Sequence, residues 1–204
     1  MAESNKENTE NKILNAAKAI FQSKGMDGSR MQEIADKAGI NKALLHYYYR
    51  SKQVLFEAVF SNAFSLIAPQ LNKILDSDLD LFDKIRGFAK NYISFISKHP
   101  YLPNFVINEL HRNPGFILKL KEKKEFPNFE KFTNQINEYV EKGLIRPIAP
   151  EQLFLNLISL NLFPIVGSPL FKLLLNLDDI TYKKLIEDRK TEVAEFIIHS
   201  IKIK

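Results

Sequence analysis

Two hundred and four residues, 45% of them hydrophobic, suffice for one domain of ordinary size or two small ones with a real core, which excludes a chain disordered throughout. The net charge is +5, from 29 Lys plus Arg against 24 Asp plus Glu. That excess is too small to coat nucleic acid by bulk charge, so any such contact depends on where the basic residues sit. The absence of cysteine excludes disulfides, thiol catalysis and cysteine-ligated metal centres, and permits a reducing compartment.

Met1 to Glu10 is rich in Asn and Glu and lacks the apolar stretch of a secretion signal, so a cytoplasmic location is expected. From residue 13 the chain reads as helices. Ile13, Ala17, Ile20 and Phe21 form one apolar stripe, and that helix ends at Gly25. Ser29 and Gln32 have the spacing of a capping box, opening a short helix with Met31, Ile34, Ala35 and Ala38 inward and Gly39 as its stop. After the turn Gly39-Ile40-Asn41, Asn41 can cap a third helix whose inward face is Leu45, Tyr48 and Tyr49. Two short helices joined by a three-residue turn containing glycine have the layout of a helix-turn-helix.

The outward face of the third helix carries Lys42, Ala43, His46, Tyr47 and Arg50, Lys52 follows, and no acidic residue occurs from Asn41 to Gln53. Lysine, arginine and tyrosine can reach phosphates, while a short residue such as Ala43 lets the backbone approach base edges in the major groove.

From Met31 to Phe56 the sequence MQEIADKAGINKALLHYYYRSKQVLF resembles the DNA-binding signature of TetR-type (tetracycline-repressor family) bacterial transcriptional regulators. The close likeness covers about residues 10–60. It implies that Lys42, Ala43, His46 and Tyr47 face DNA, that Tyr48 and Lys52 touch backbone phosphate, and that Leu45 and Tyr49 belong to the core. Leu44 departs from the small hydroxyl residue of many members, and His46 stands where tyrosine is frequent.

The rest of the chain is Phe-rich and holds all nine prolines, between Pro69 and Pro169. Helices are expected over residues 52–75, 81–98, 103–112, 128–142, 150–163 and 181–202. Breaks are expected at 76–78, His99-Pro100, Asn113-Pro114-Gly115, Lys142-Gly143 and from Pro164 to Pro169; the mixed-charge run 119–125 reads as a solvated face. No alternating strand pattern occurs, so the fold class is all-α: a three-helix helix-turn-helix domain over 1–55 joined to a larger helical effector-binding and dimerisation domain over 56–204.

Residues 152–171 are uncharged and long enough to span a bilayer. They contain Asn156, Ser159, Asn161, Pro164, Gly167, Ser168 and Pro169, which read as a helix buried between protein surfaces and not as a membrane span. Segment 150–163 has almost no polar side, and 181–202 repeats Leu185, Ile186, Val193, Phe196, Ile197 and Ile201. Both are expected to pair with their copies in a homodimer, as the resemblance also implies. Two copies of the head would then read a palindromic double-stranded operator with half-sites about one helical turn apart.

The Phe-rich body suggests a cavity for an apolar or amphipathic effector. Candidate linings are Phe88, Tyr92, Phe95, Phe105, Phe129, Phe132 and Phe163, with Asn108, Glu109, His111 and Asn161 as polar contacts, although aromatics at helical spacing also simply pack cores. The four histidines are widely spaced, and no glycine-rich phosphate loop or nucleophile elbow occurs, so neither enzyme, metal nor cofactor is expected. The expected function is a sequence-specific DNA-binding regulator, a repressor released by its effector. A carrier of hydrophobic small molecules would leave the basic third helix idle; a protein-interaction adaptor would use the head for docking.

Overall fold

A computed structural model of the protein describes residues 2–100, 102–112 and 126–203, together with Gly115, Leu118, Lys121 and Glu122. Ten helices occur among the described residues: α1 (Ala2–Lys24), α2 (Met31–Ala38), α3 (Lys42–Tyr48), α4 (Lys52–Leu75), α5 (Leu81–Lys98), α6 (Leu102–Arg112), α7 (Glu130–Glu141), α8 (Pro150–Val166), α9 (Ser168–Leu175) and α10 (Asp179–Ile201). The expected break at 113–115 and the run 119–125 fall largely outside the described residues, as does the Glu109 side chain. The chain divides into two compact units, Met1–Leu66 and Ile67–Lys204. The division falls within α4, as does the boundary at 55/56 expected from sequence.

In the first unit, α1 extends back beyond its apolar stripe and buries Ile13, Ala17 and Phe21 on one face. Phe21 meets Phe56 of α4 edge to face at 4.9 Å, and Ile34, Ala35, Leu45, Leu55 and Phe60 complete the core. Gly39 ends α2 at φ 69°, in the left-handed region that a side chain disfavours, and the amide of Ile40 closes onto the Ala35 carbonyl at 3.0 Å. The sequence places the start of α2 one residue early. Its N-cap is Arg30, whose amide donates to Glu33 Oε2 at 3.3 Å, while the buried Ser29 hydroxyl turns back to the Met26 carbonyl at 2.6 Å.

In the second unit, α5 buries Leu81, Ile85, Phe88, Ala89, Tyr92, Ile93 and Ile96, a full 3.6-residue stripe, against α8 and α10. Asp80 fixes its start by accepting from the amides of Phe82 and Asp83 at 2.8 and 3.0 Å. Lys84 is buried on the same helix and donates to the Leu75 carbonyl at 3.2 Å, capping the end of α4; burial lowers its pKa. The apolar residues of α4 serve both cores, Leu55, Phe56 and Phe60 in the first unit and Ile74 and Leu75 in the second. This accounts for a helix long and apolar enough to cross a membrane by length and composition.

The break expected from Pro164 does not occur there. α8 continues to Val166, and Ser168–Leu175, whose first two residues fall in the expected break, is a further helix meeting α8 at 72° across Gly167. Pro164 has no amide hydrogen for the Leu160 carbonyl, the group one turn back that a helix interior would pair with it. Arg189 of α10 supplies the missing donors, Nε at 3.0 Å and Nη2 at 2.9 Å, and the Tyr182 hydroxyl donates to the Pro164 carbonyl at 2.5 Å. The proline is tolerated because a neighbouring helix satisfies what it leaves open.

Candidate nucleic-acid interface

The third helix is short, so its pose is set by its ends. Asn41 Oδ1 accepts from the Leu44 amide at 2.7 Å, fixing the first turn, and Leu45, fully buried, anchors the helix to the core. Tyr49 closes the other end: its ring is buried and its hydroxyl donates to Glu10 Oε1 at 3.0 Å, across from α1. Burial and that carboxylate raise the Tyr49 pKa, so it stays a neutral donor.

With Leu45 and Tyr49 inward, Lys42, Ala43, His46 and Tyr47 all stand exposed on the opposite face, and Tyr47 is 75% exposed. The Tyr47 and Tyr48 rings meet edge to face at 5.6 Å. Tyr48, expected inward, is only half-buried, between the two faces. His46 Nδ1 lies 3.3 Å from the Arg50 carbonyl, orienting the imidazole along the helix, and Leu44 is 36% exposed beside it.

Lys52 differs from the other basic residues. It is half-buried, and its ammonium donates to the carbonyls of Ser29 at 3.0 Å and Asp27 at 3.4 Å, tying the start of α4 to the loop before α2. An ammonium has three donors, so one remains for a phosphate. Nothing in the local sequence signals these ties, because the two carbonyls lie 25 and 23 residues upstream.

Four carboxylates of the first unit have partners other than the exposed residues of α3. Glu10 holds Tyr49, Glu33 pairs with Lys24 at 2.8 Å, Asp36 accepts from Gln32 at 2.7 Å and Glu57 from Gln53 at 3.0 Å. The Lys24 ammonium holds the Glu33 carboxyl below its usual pKa. The exposed face of α3 therefore presents positive charge and aromatic hydroxyls with no neighbouring acid in sequence from 41 to 53.

The effector candidates divide in two. Phe88 and Tyr92 stack at 5.1 Å inside the core with Phe132, and Phe95 and Phe129 pack against the same cluster half-buried. Burial raises the Tyr92 pKa to about 12. Asn161 is fully buried on α8; its amide nitrogen donates to the Leu157 carbonyl at 2.6 Å, while Oδ1 has no partner among the described residues. Phe105 is half-buried on α6, whereas Asn108 and His111 are exposed there, and Phe163, 56% exposed, lies outside the core.

Residues 13–59 match the family model of the bacterial regulatory proteins of the tetR family. Among curated proteins, the nucleoid occlusion factor SlmA of Vibrio vulnificus is 26% identical over 170 residues, covering 72% of this chain and 87% of its own. A TetR family transcription regulator from Marinobacter aquaeolei superposes with a TM-score of 0.69 at 16% identity, over 99% of this chain and all of that one. The structure of AibR in complex with isovaleryl coenzyme A and operator DNA gives a TM-score of 0.60 at 19% identity, over 77% of this chain and 85% of that one. These two structural likenesses establish the fold. The helix-turn-helix built around Leu45 and Tyr49 is thus the part of this chain that the tetR-family model matches, and the whole chain shares the fold of a TetR family transcription regulator.

Proposed function

We propose that the chain is a ligand-released repressor that acts in the cytoplasm as a homodimer on a palindromic operator, with residues 1–55 reading DNA and 56–204 binding effector and partner. The observation that carries the DNA reading is the exposed face of α3. Lys42, Ala43, His46 and Tyr47 stand where a recognition helix meets the major groove, with Tyr48 and the spare donor of Lys52 directed to phosphate.

The homodimer rests on apolar surface. Leu155 and Phe163 of α8 are each 56% exposed, Phe196 of α10 is 65% exposed, and Leu170, Leu173, Leu174, Leu175 and Leu185 are more than a third exposed. Eight large side chains of this kind present on the order of the ~800 Å² that one partner of a standard interface buries. Exposed apolar area on this scale marks an interaction surface when it is gathered in one patch, as a homodimer contact would require.

Effector release rests on Asn161. A buried carbonyl oxygen without a donor costs roughly 1–3 kcal/mol, and an effector carrying a hydroxyl or amide into the core beside Phe88, Tyr92 and Phe132 would satisfy it. Phe95, Phe105 and Phe129 are the outer wall of the proposed cavity, and Asn108 and His111 its polar approach. The effector is thus apolar with a hydrogen-bond donor, and it shifts the dimer only by its preference for the released arrangement.

The test is a mobility-shift titration with the DNA upstream of the protein's own gene, comparing wild type with Tyr47→Ala and Lys52→Ala. Loss of the specific complex in Tyr47→Ala is the expected result. Identical weak binding by all three proteins would refute the proposed face, and no specific complex at all would return the chain to the carrier reading.

A further inference from the structure

Leu44 has no part in the reading above, although it stands in the first turn of α3, the part of a recognition helix that meets base edges. It is 36% exposed. Among the described residues the first unit exposes four large apolar side chains, and two of them, Leu44 and Tyr47, lie on this short helix, the others being Val54 and Leu66. A lone exposed leucine elsewhere on a surface calls for no explanation, but this one stands on a face proposed to enter a groove. Two anchors fix it. Leu45 beside it is fully buried, and Asn41 Oδ1 accepts from the Leu44 amide at 2.7 Å. The same bond spends the amide, so Leu44 offers DNA its isobutyl group and no hydrogen-bond donor. Ala43, also exposed, extends the apolar patch between Lys42 and His46.

The major groove gives such a patch a narrow choice. Its base edges carry N–H donors and N and O acceptors, and the one apolar substituent is the C5 methyl of thymine. An alkyl group packed on a donor or acceptor strips it of water and returns nothing, whereas the methyl is itself better out of water. The C5 methyl also lies at the outer edge of the base pair, toward the backbone of its own strand. Leu44 is placed for that edge. Helical spacing sets it one turn before Tyr48, the half-buried flank residue proposed for phosphate, while Ala43 precedes Tyr47 on the base-reading face. Resting on the proposed DNA face, we infer that Leu44 reads the C5 methyl of a pyrimidine, so that each half-site carries a thymine, or a cytosine methylated at C5, at one fixed position.

The test uses the full chain. Operators are selected from a random duplex pool with wild type, and each thymine of the recovered motif is replaced in turn by deoxyuridine, which lacks only the methyl. Fluorescence anisotropy is expected to show, at one thymine of each half-site, about a 4-fold loss of affinity, the effect of leaving one methyl group in water. Leu44→Ala should bind the thymine and deoxyuridine operators equally at that position and respond as wild type does at every other. With a C·G pair placed there, methylating the cytosine at C5 should raise wild-type affinity by a similar factor and leave Leu44→Ala unmoved; no gain for wild type overturns the methyl as the group that is read. Circular dichroism of Leu44→Ala should match wild type, and Leu44→Gln, polar and of similar length, answers the same question should alanine disturb the turn. Indifference of wild type to every deoxyuridine, undiminished sensitivity in both variants, or a motif without thymine overturns Leu44 as the methyl reader and leaves the DNA face standing. Failure of wild type to enrich any sequence overturns both.

Discussion

Arg189 donates through Nε and Nη2 to the carbonyl of Leu160, the one backbone acceptor that Pro164 deprives of its helical partner. Removing the guanidinium with Arg189→Met leaves that carbonyl unpaired and should cost about 1–3 kcal/mol in urea denaturation at fixed protein concentration. Pro164→Ala restores an amide for Leu160, so in the double variant much of that loss should return. Strict additivity of the two single effects would show that the fork and the proline are not coupled.

Gly39 offers a clean measurement of the turn that aims α3. A Cβ added there meets no atom within 4 Å, so Gly39→Ala changes only the backbone term at φ 69°. The expected loss is about 1 kcal/mol of stability, with specific DNA affinity unchanged once the protein is folded.

Asn161 should behave in the opposite sense. Asn161→Leu removes the orphaned oxygen from an apolar core and should raise stability by about 1 kcal/mol. DNA binding should persist while release by effector is lost. A destabilised variant would show that Oδ1 already has a partner in solution.

The buried Tyr92 hydroxyl makes stability fall in alkali. Its pKa is about 12 when folded, above the 10.0 of an unperturbed tyrosine, so between those values the unfolded chain gives up a proton that the folded one keeps. Its stabilising contribution is intact below pH 10 and falls by about 1.4 kcal/mol per pH unit above it. Tyr92→Phe should flatten that decline in denaturation curves recorded between pH 9 and pH 12.

Salt dependence separates phosphate contacts from base reading. Lys42→Ala should lower affinity for all sequences and reduce the slope of log K against log[salt] by about one, whereas Tyr47→Ala should reduce discrimination between specific and random DNA more than the slope. Fluorescence anisotropy over a salt series measures both.

The helices that sequence locates well are those whose ends carry local chemistry. α5 runs from Leu81 to Lys98 as expected, because Asp80 caps it and the apolar spacing is regular, and α3 is fixed by Asn41 and Gly39. Its outward face was legible for the same reason, since Leu45 and Tyr49 are inward and helical phase does the rest. What sequence missed depends on distant partners. Pro164 reads as a stop unless Arg189, 25 residues on, is known to reach Leu160, and α9 is hidden behind the apparent break from Pro164 to Pro169. Lys52 reads as a free cation until its two carbonyls are located.

The 72° corner at Gly167 has a consequence for fidelity. A straight apolar helix can lie against its copy in several registers one turn apart, with little to choose between them. A corner cannot slide, because any shift along one arm lifts the other out of contact. In the proposed homodimer such a corner would favour a second copy of this chain over a regulator with a straight helix there, so mixed dimers with mismatched reading heads would be disfavoured by shape before any DNA is met.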